Sequence, residues 1–222
     1  MIQQQVLIGP HALGGDLIVP KGAHALVLFA HGSGSSRHSP RNRFVAEALH
    51  ARRLGTLLFD LLSEIESHDA GNVFDIALLS NRLLQAMAWV RERRDLNGLR
   101  IGLFGASTGA AAALVAAAER QQEVSAIVSR GGRPDLAGAA LPQVRAPTLL
   151  LVGAMDTQVL ALNRDALRQM TCEKRLEVVP RATHLFEEAG ALERVAHSAS
   201  DWLAQHLGGG NNNNNNDAKA RR

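Results

Sequence analysis

Apolar positions along this chain follow two alternating rhythms. Short unbroken apolar runs recur, among them "HALVLFA" at 24–30, "TLLF" at 56–59, "RIGLF" at 100–104 and "TLLLV" at 148–152. A run without alternation is what a strand covered on both faces shows. Between these runs the apolar residues return every three or four positions. Ile76, Leu79, Leu83, Met87 and Val90 are spaced this way, which predicts a long helix over roughly 72 to 94. Ser39 and Pro40 form a cap and first-turn pair for another helix, with Phe44, Val45, Ala48 and Leu49 inward and Gly55 beyond its end. "QQVLI" and "GDLIVP" read as an opening antiparallel pair turning through Gly14 and Gly15. "VSAIVS" and "RLEVVP" complete the strand set, and helices are predicted after Ser107, around 158–170 and from about 188 to 207.

Two leading strands followed by repeated strand-helix units predict an α/β fold. The sheet should be mostly parallel and twisted, of about eight strands, with helices on both faces. Ligand chemistry in such a sheet gathers at the carboxyl ends of the strands. The polar residues that follow each strand are therefore the ones to weigh.

Composition narrows the classes further. The 222 residues are 46% hydrophobic, enough for one buried core, and residues 1–207 read as a single domain. The tail 208–222, "GGGNNNNNNDAKARR", has no apolar content beyond two alanines and reads as disordered. The net charge is only +3 and no Lys/Arg run is interleaved with aromatics, so a nucleic-acid partner is not expected. The opening "MIQQQVLIGP" lacks a signal-peptide pattern, and no apolar run has the length of a membrane span, so the expected setting is the cytoplasm, with no membrane partner. Cys172 is the single cysteine, which removes any disulfide framework within the chain and any cysteine-rich zinc site.

The most informative stretch is "LRIGLFGASTGAAAALVAAAER", where Gly105-Ala106-Ser107-Thr108-Gly109 spells G-x-S-x-G between a strand and a helix. In a turn this tight the serine is held in a strained backbone that lifts its Oγ above the sheet. Side chains at 105 and 109 would collide with the neighbouring helix and strand, so glycine is required. The helix N-terminus at Ser107 also favours developing negative charge. A serine hydroxyl needs an adjacent base, and the base needs an orienting acid. "PTLLLVGAMD" brings Asp156 just past a strand, and "RLEVVPRATH" brings His184 just past the next, before the last helix. Asp156 could also cap the helix after it, and Asp135, beside Pro134, is a reserve for the acid.

A second small-residue loop, His31-Gly32-Ser33-Gly34-Ser35-Ser36, follows the strand 24–30. Backbone amides of Thr108 and Ser33 are the candidate oxyanion donors, with Gly34 in reserve and Gly32 letting the chain approach a substrate closely. No G-K-[ST] follows, so a phosphate cradle is not indicated. Arg37, Arg41, Arg130 and Arg133 fall in loops near the rim and are candidates for receiving a carboxylate or phosphate. A metal hydrolase built on His31, His38 or His184 is a weaker rival, because no metal-ligand spacing such as H-E-x-x-H occurs.

With "HGSGSS", "GASTG", Asp156 and His184 in this order, the chain resembles an α/β-hydrolase of the dienelactone-hydrolase-like branch. The resemblance spans about residues 3 to 207 and includes "FDIALLSNRL" and "VSRGGRPDLA". It implies Ser107 as nucleophile, His184 as base and Asp156 as acid, with no cofactor and no metal. Dienelactone hydrolases carry cysteine as nucleophile, whereas this chain has Ser107, so general serine esterase chemistry is expected in place of that lactone reaction. Only about eighteen residues separate "AIVSR" from "PTLLLV", too few for a large cap domain. An open site for small or exposed acyl esters follows, with water as the second reactant. Acyl transfer or amide cleavage by the same triad, or an idle hydrolase fold used for binding, are the alternatives.

Overall fold

The computed structural model describes residues 1–208; the tail from 209 onward lies outside the described residues. One sheet of eight strands runs through the molecule in the order β1-β2-β4-β3-β5-β6-β7-β8. These are β1 (Ile2–Ile8), β2 (Leu13–Val19), β3 (Ala25–Ala30), β4 (Gly55–Phe59), β5 (Arg100–Ala106), β6 (Val124–Arg130), β7 (Thr148–Gly153) and β8 (Lys174–Val179). β1 pairs antiparallel with β2 and β2 with β4, and all other pairs are parallel. The α/β-hydrolase architecture expected from the sequence is present, with no cap domain among the described residues.

The central strands are apolar throughout because each face has its own cover. Leu26, Leu28 and Ala30 of β3 enter the core beneath α4 (Ile76–Glu92) and α5 (Thr108–Glu119). Ala25, Val27 and Phe29 enter the opposite core beneath α1 (Pro40–Ala51) and α7 (Ala191–Leu207), where Phe29 stacks on Phe104 at 4.7 Å. Two short helices, α2 (Glu64–Ser67) and α3 (Ala70–Phe74), precede α4, and α6 (Thr157–Gln169) covers the β7–β8 edge. The link between β6 and β7 contains a kinked 3₁₀ segment, Pro134–Gln143. Among the described residues no helix is long and apolar enough to cross a membrane.

Three local expectations change. The turn between β1 and β2 is formed by residues 9–12, and Gly14 and Gly15 lie inside β2. A Cβ at Gly14 would meet the Arg37 guanidinium at 2.6 Å, and one at Gly15 would meet Ile8 at 2.9 Å, so Gly14 makes room for a loop side chain and Gly15 for a neighbour in the sheet. In α1 the buried apolar set is Val45, Ala46 and Leu49, while Phe44 is 38% exposed, a phase shift of one residue. The long helix expected from 72 is broken at Asp75, whose carboxylate accepts the Leu78 N–H (2.9 Å) and so starts α4 afresh.

The strand order reverses at β3. From β3 the chain steps outward to β4 on one side, and the next strand, β5, joins on the other. α1 after β3 and α5 after β5 cover opposite faces, which opens a crevice between the two carboxyl ends. Both small-residue loops singled out in the sequence sit there.

Candidate active site

β5 ends at Ala106 and α5 begins at Thr108, so Ser107 alone makes the turn. Its backbone sits at φ 50, ψ −121, a region other than glycine rarely enters. Neighbours hold it there: Ser107 N–H donates to Arg130 O (3.3 Å), and Ser107 O accepts from Arg133 N–H (3.1 Å) and Ala110 N–H (3.1 Å). The glycines around it leave no room for a side chain. A Cβ at Gly105 would lie 2.4 Å from Ala110 Cα, and one at Gly109 would lie 2.2 Å from Ala30 O. Gly32 faces the serine, where its Cβ would come within 2.9 Å of Ser107 Cβ. Thr108, as the first residue of α5, has an N–H with no acceptor inside its own helix.

The acid and base arrive on two loops zipped to each other. After β7, Ala154 N–H donates to Val179 O and Met155 N–H to Ala182 O, both at 2.9 Å. Gly153 makes this closeness possible, since a Cβ there would lie 2.3 Å from Ala182 O. Asp156 stands at the N-cap position of α6 but makes no capping bond. Its Oδ2 instead lies 2.6 Å from His184 Nδ1. The carboxylate is mostly enclosed, at 14% side-chain exposure, while the imidazole is more open at 39%. Glu188 steadies the histidine loop by accepting from Thr183 N–H (3.0 Å) and Oγ1–H (2.6 Å). Those bonds hold its own carboxyl below the usual range.

His184 comes to Ser107 through one intermediary. Gly131 follows Arg130, the residue bonded to Ser107 N–H, and a Cβ on it would sit 3.5 Å from His184 Cε1. The histidine ring is therefore seated on the backbone that flanks the serine. Among the described residues neither Ser107 Oγ nor His184 Nε2 has a hydrogen-bond partner, and contacts of this kind tighten once substrate is bound.

The second loop is fixed by His31. Leu61 N–H donates to its Nε2 (3.0 Å), so the ring hydrogen lies on Nδ1, which donates to Gly32 O (3.0 Å). Burial pushes its pKa below the ordinary histidine value, keeping the ring neutral. A cavity of about 280 Å³ opens beside this loop, lined by residues 31–36 and Thr108 on one side. Leu62, Ser67, Val73 and Leu79 form its other wall. That wall is absent from the sequence expectation; the apolar residues flanking "SEIESHDAGN" were its only trace.

The other candidates separate by their partners. Arg37 is salt-bridged to Asp60, whose Oδ1 also accepts its backbone N–H (2.8 Å). Arg133 forks onto Asp135 through bonds of 2.9 and 2.7 Å, which commits the reserve acid elsewhere. Arg130 has no such partner. His38 bonds Arg43 on the surface (2.9 Å), and Cys172 is half-buried beside Thr148. Among the described residues no group of three or more His, Cys, Asp or Glu side chains is arranged to hold a metal.

Comparison with known proteins identifies the family. The family model described as "Dienelactone hydrolase family" matches residues 65–207. The chain belongs to the dienelactone hydrolase family. The match takes in Ser107, Asp156 and His184. A crystal structure of dienelactone hydrolase from Anabaena variabilis is 54% identical to this family member, with a TM-score of 0.88, covering 93% of this chain and 97% of that one. The esterase Est1E from Butyrivibrio proteoclasticus shares the fold at a TM-score of 0.76 and 16% identity, covering 92% of this chain and 98% of that one. A Mycobacterium tuberculosis protein named "Putative phosphoribosyl transferase" is 55% identical over 205 residues, 92% of this chain and 46% of its own length. This dienelactone hydrolase family chain thus spans about half the length of the curated relatives it matches.

Proposed function

We propose that this chain is a serine hydrolase that cleaves carboxylic esters of small or exposed acyl groups through an acyl-enzyme. The observation that carries the reading is the pairing of a strained serine at the β5–α5 elbow with a histidine bonded to a carboxylate at 2.6 Å. Ser107 Oγ attacks the acyl carbon while His184 Nε2 takes its proton. Asp156 holds the Nδ1–H tautomer and balances the imidazolium that forms. Backbone N–H groups of Thr108 and Ser33 receive the oxyanion, a role that small residues and a helix N-terminus suit. His184 then protonates the leaving alcohol, and water activated by the same imidazole releases the acid. The Leu62, Val73 and Leu79 wall accommodates a short acyl chain, in keeping with the size of the cavity.

The mycobacterial relative's name belongs to a chain about twice as long, and we assign the hydrolytic chemistry to the half matched here. No cofactor or metal is called for by these steps. Ser107→Ala should lower kcat for p-nitrophenyl acetate at least about 10⁴-fold while leaving the circular dichroism and unfolding midpoint near wild type. A fluorophosphonate probe should label wild type at Ser107 alone. Undiminished turnover in folded Ser107→Ala would refute the nucleophile assignment, and an unlabelled Ser107 would leave a binding module as the better description.

A further inference from the structure

The cavity wall that faces Thr108 has little packing behind half of it. Its residues are Leu62, Ser67, Val73 and Leu79. Leu79 belongs to α4 and Leu62 lies just ahead of α2, but Ser67 and Val73 sit on α2 and α3, helices of four and five residues. Helices this short do not hold their own shape in water. Burial does not fix them either: among the described residues no side chain of α2 or α3 is fully buried. Ile65 and Phe74 are exposed, and Val73 meets the core only in part.

One side chain supplies the missing restraint. Glu66 Oε2 accepts the Ser63 N–H (2.8 Å) while Ser63 Oγ accepts the Glu66 N–H (3.3 Å), a reciprocal cap at the start of α2. The other carboxylate oxygen, Oε1, accepts from Arg82 Nη2 on α4 (2.7 Å), and the Glu66 carbonyl accepts from Asn72 Nδ2 on α3 (3.0 Å). Every wall residue lies next to one of these bonds. Leu62 precedes Ser63, Ser67 follows Glu66, Val73 follows Asn72, and Leu79 stands about one turn before Arg82. The bonds from Ser63, joined by the Arg82 charge, hold the Glu66 carboxyl below the usual range, so it is ionised at neutral pH. The Arg82 side chain is only 5% exposed and that of Glu66 28%. Removing the carboxylate would therefore strand an enclosed guanidinium, which is costly.

We infer that Glu66, paired with Arg82, is the positioning residue that sets the acyl-size limit of this cavity. It fastens the α2–α3 wall to α4, and the fastened wall excludes longer acyl chains. Glu66 does not itself line the cavity, so it acts on the substrate only through the wall. The inference rests on the ester-hydrolase reading for what is bound, but the fastening can be measured without turnover.

Two measurements test it. In the first, amide hydrogen exchange is followed in wild type and Glu66→Ala. Amides of residues 62–75 should exchange at least tenfold faster in the variant while those of α5 do not change. Equal exchange over 62–75 would overturn the fastening. In the second, kcat/KM is measured for p-nitrophenyl acetate, butyrate and octanoate. The acetate-over-octanoate ratio should fall at least tenfold in Glu66→Ala, carried by a lower KM for octanoate. Glu66→Gln keeps one acceptor oxygen of two and should restore the ratio in part. A merely structural role would lower all three esters alike, and an unchanged ratio in a folded variant would overturn the size limit. Should Glu66→Ala not fold, Glu66→Gln and Arg82→Lys read the same exchange and the same ratio, and wild-type behaviour in both rejects the inference. Failure of wild type to hydrolyse any of the esters would defeat the ester reading alone. The relative rates at which short- and long-chain alkyl fluorophosphonates label Ser107 would then decide the size limit, and absence of labelling by both would overturn it.

Discussion

The two small-residue turns that face each other across the β3–β5 crevice are held in place by opposite means. At the Ser107 elbow the restraint is backbone against backbone: Gly105 against Ala110, and Gly109 against the carbonyls of Ala30 and His31. At the loop 31–36 close packing is confined to Gly32, and the long-range side-chain restraint is His31, bridging Gly32 O and Leu61 N–H, beside a local Ser35 N–H to Gly32 O bond. Gly34, at the tip of that loop, has φ +66 and open space around it. The proposed nucleophile is thus fixed by exclusion of volume added to backbone hydrogen bonds, and the proposed oxyanion loop mainly by hydrogen bonds. A reacting hydroxyl tolerates little misplacement. A loop that offers one amide to a developing charge can be held by fewer restraints and still be oriented.

The largest effect should come from breaking the elbow. Gly109→Ala puts a Cβ 2.2 Å from Ala30 O and 2.4 Å from His31 O, and neither backbone atom belongs to a side chain that can turn away. A loss of about 3 kcal/mol or more is expected, from overpacking in a rigid interior. Urea unfolding of the variant checks it, together with recovery of soluble protein. A Gly109→Ala variant of wild-type stability would show that α5 can slide away from β3, and the contrast between the two turns would fail.

This difference also explains what was legible in the sequence. The elbow could be read because volume exclusion leaves its mark in residue identity: only glycine fits at 105 and 109, whatever packs nearby. Asp156 and His184 could be placed because each is the first suitable residue after its strand. The continuous apolar runs announced strands with helices on both faces, and the two cores confirm them. His31 as a brace could not be read. Its partner Leu61 is thirty positions away and offers only a backbone N–H, which no side-chain pattern records. The orphaned state of Arg130 was equally hidden, since four rim arginines look alike until Asp60 and Asp135 claim two of them. Phe44 misled because its apolar character outweighed a helical phase set by α7 packing on Val45 and Leu49.

An intermediate effect should follow from removing the His31 bridge. His31→Ala leaves the buried Leu61 N–H without an acceptor, a cost of about 1–3 kcal/mol. The freed loop should also reduce kcat by about tenfold, because one oxyanion donor is no longer aimed. The pH dependence has a definite sign. The folded pKa of His31 is depressed by burial below its ordinary 6.5, so the unfolded chain binds the proton more readily. The stabilisation from the neutral ring is complete above the unfolded value and is lost as pH falls from there toward the folded one. The stability advantage of wild type over His31→Ala should therefore shrink as the medium is acidified below about 6.5. Denaturant titrations of both proteins at several pH values measure this directly, and a constant difference would mean that the ring is not held neutral.

The smallest effect is expected at Gly34, and it is the sharpest test of the contrast. Its neighbourhood is empty, so alanine meets no steric opposition and the cost is confined to a positive φ of 66. That conformation costs an L-residue about 1 kcal/mol, and asparagine less than alanine because it enters the left-handed region more readily. Gly34→Ala should lower stability by about that amount and Gly34→Asn by less. The reduction in kcat should stay below that of His31→Ala, since the bridge to Leu61 remains intact. Equal losses for alanine and asparagine would point to volume, not backbone angle, as the constraint. The loop would then be packed in the manner of the elbow, and a single histidine would not be what holds it.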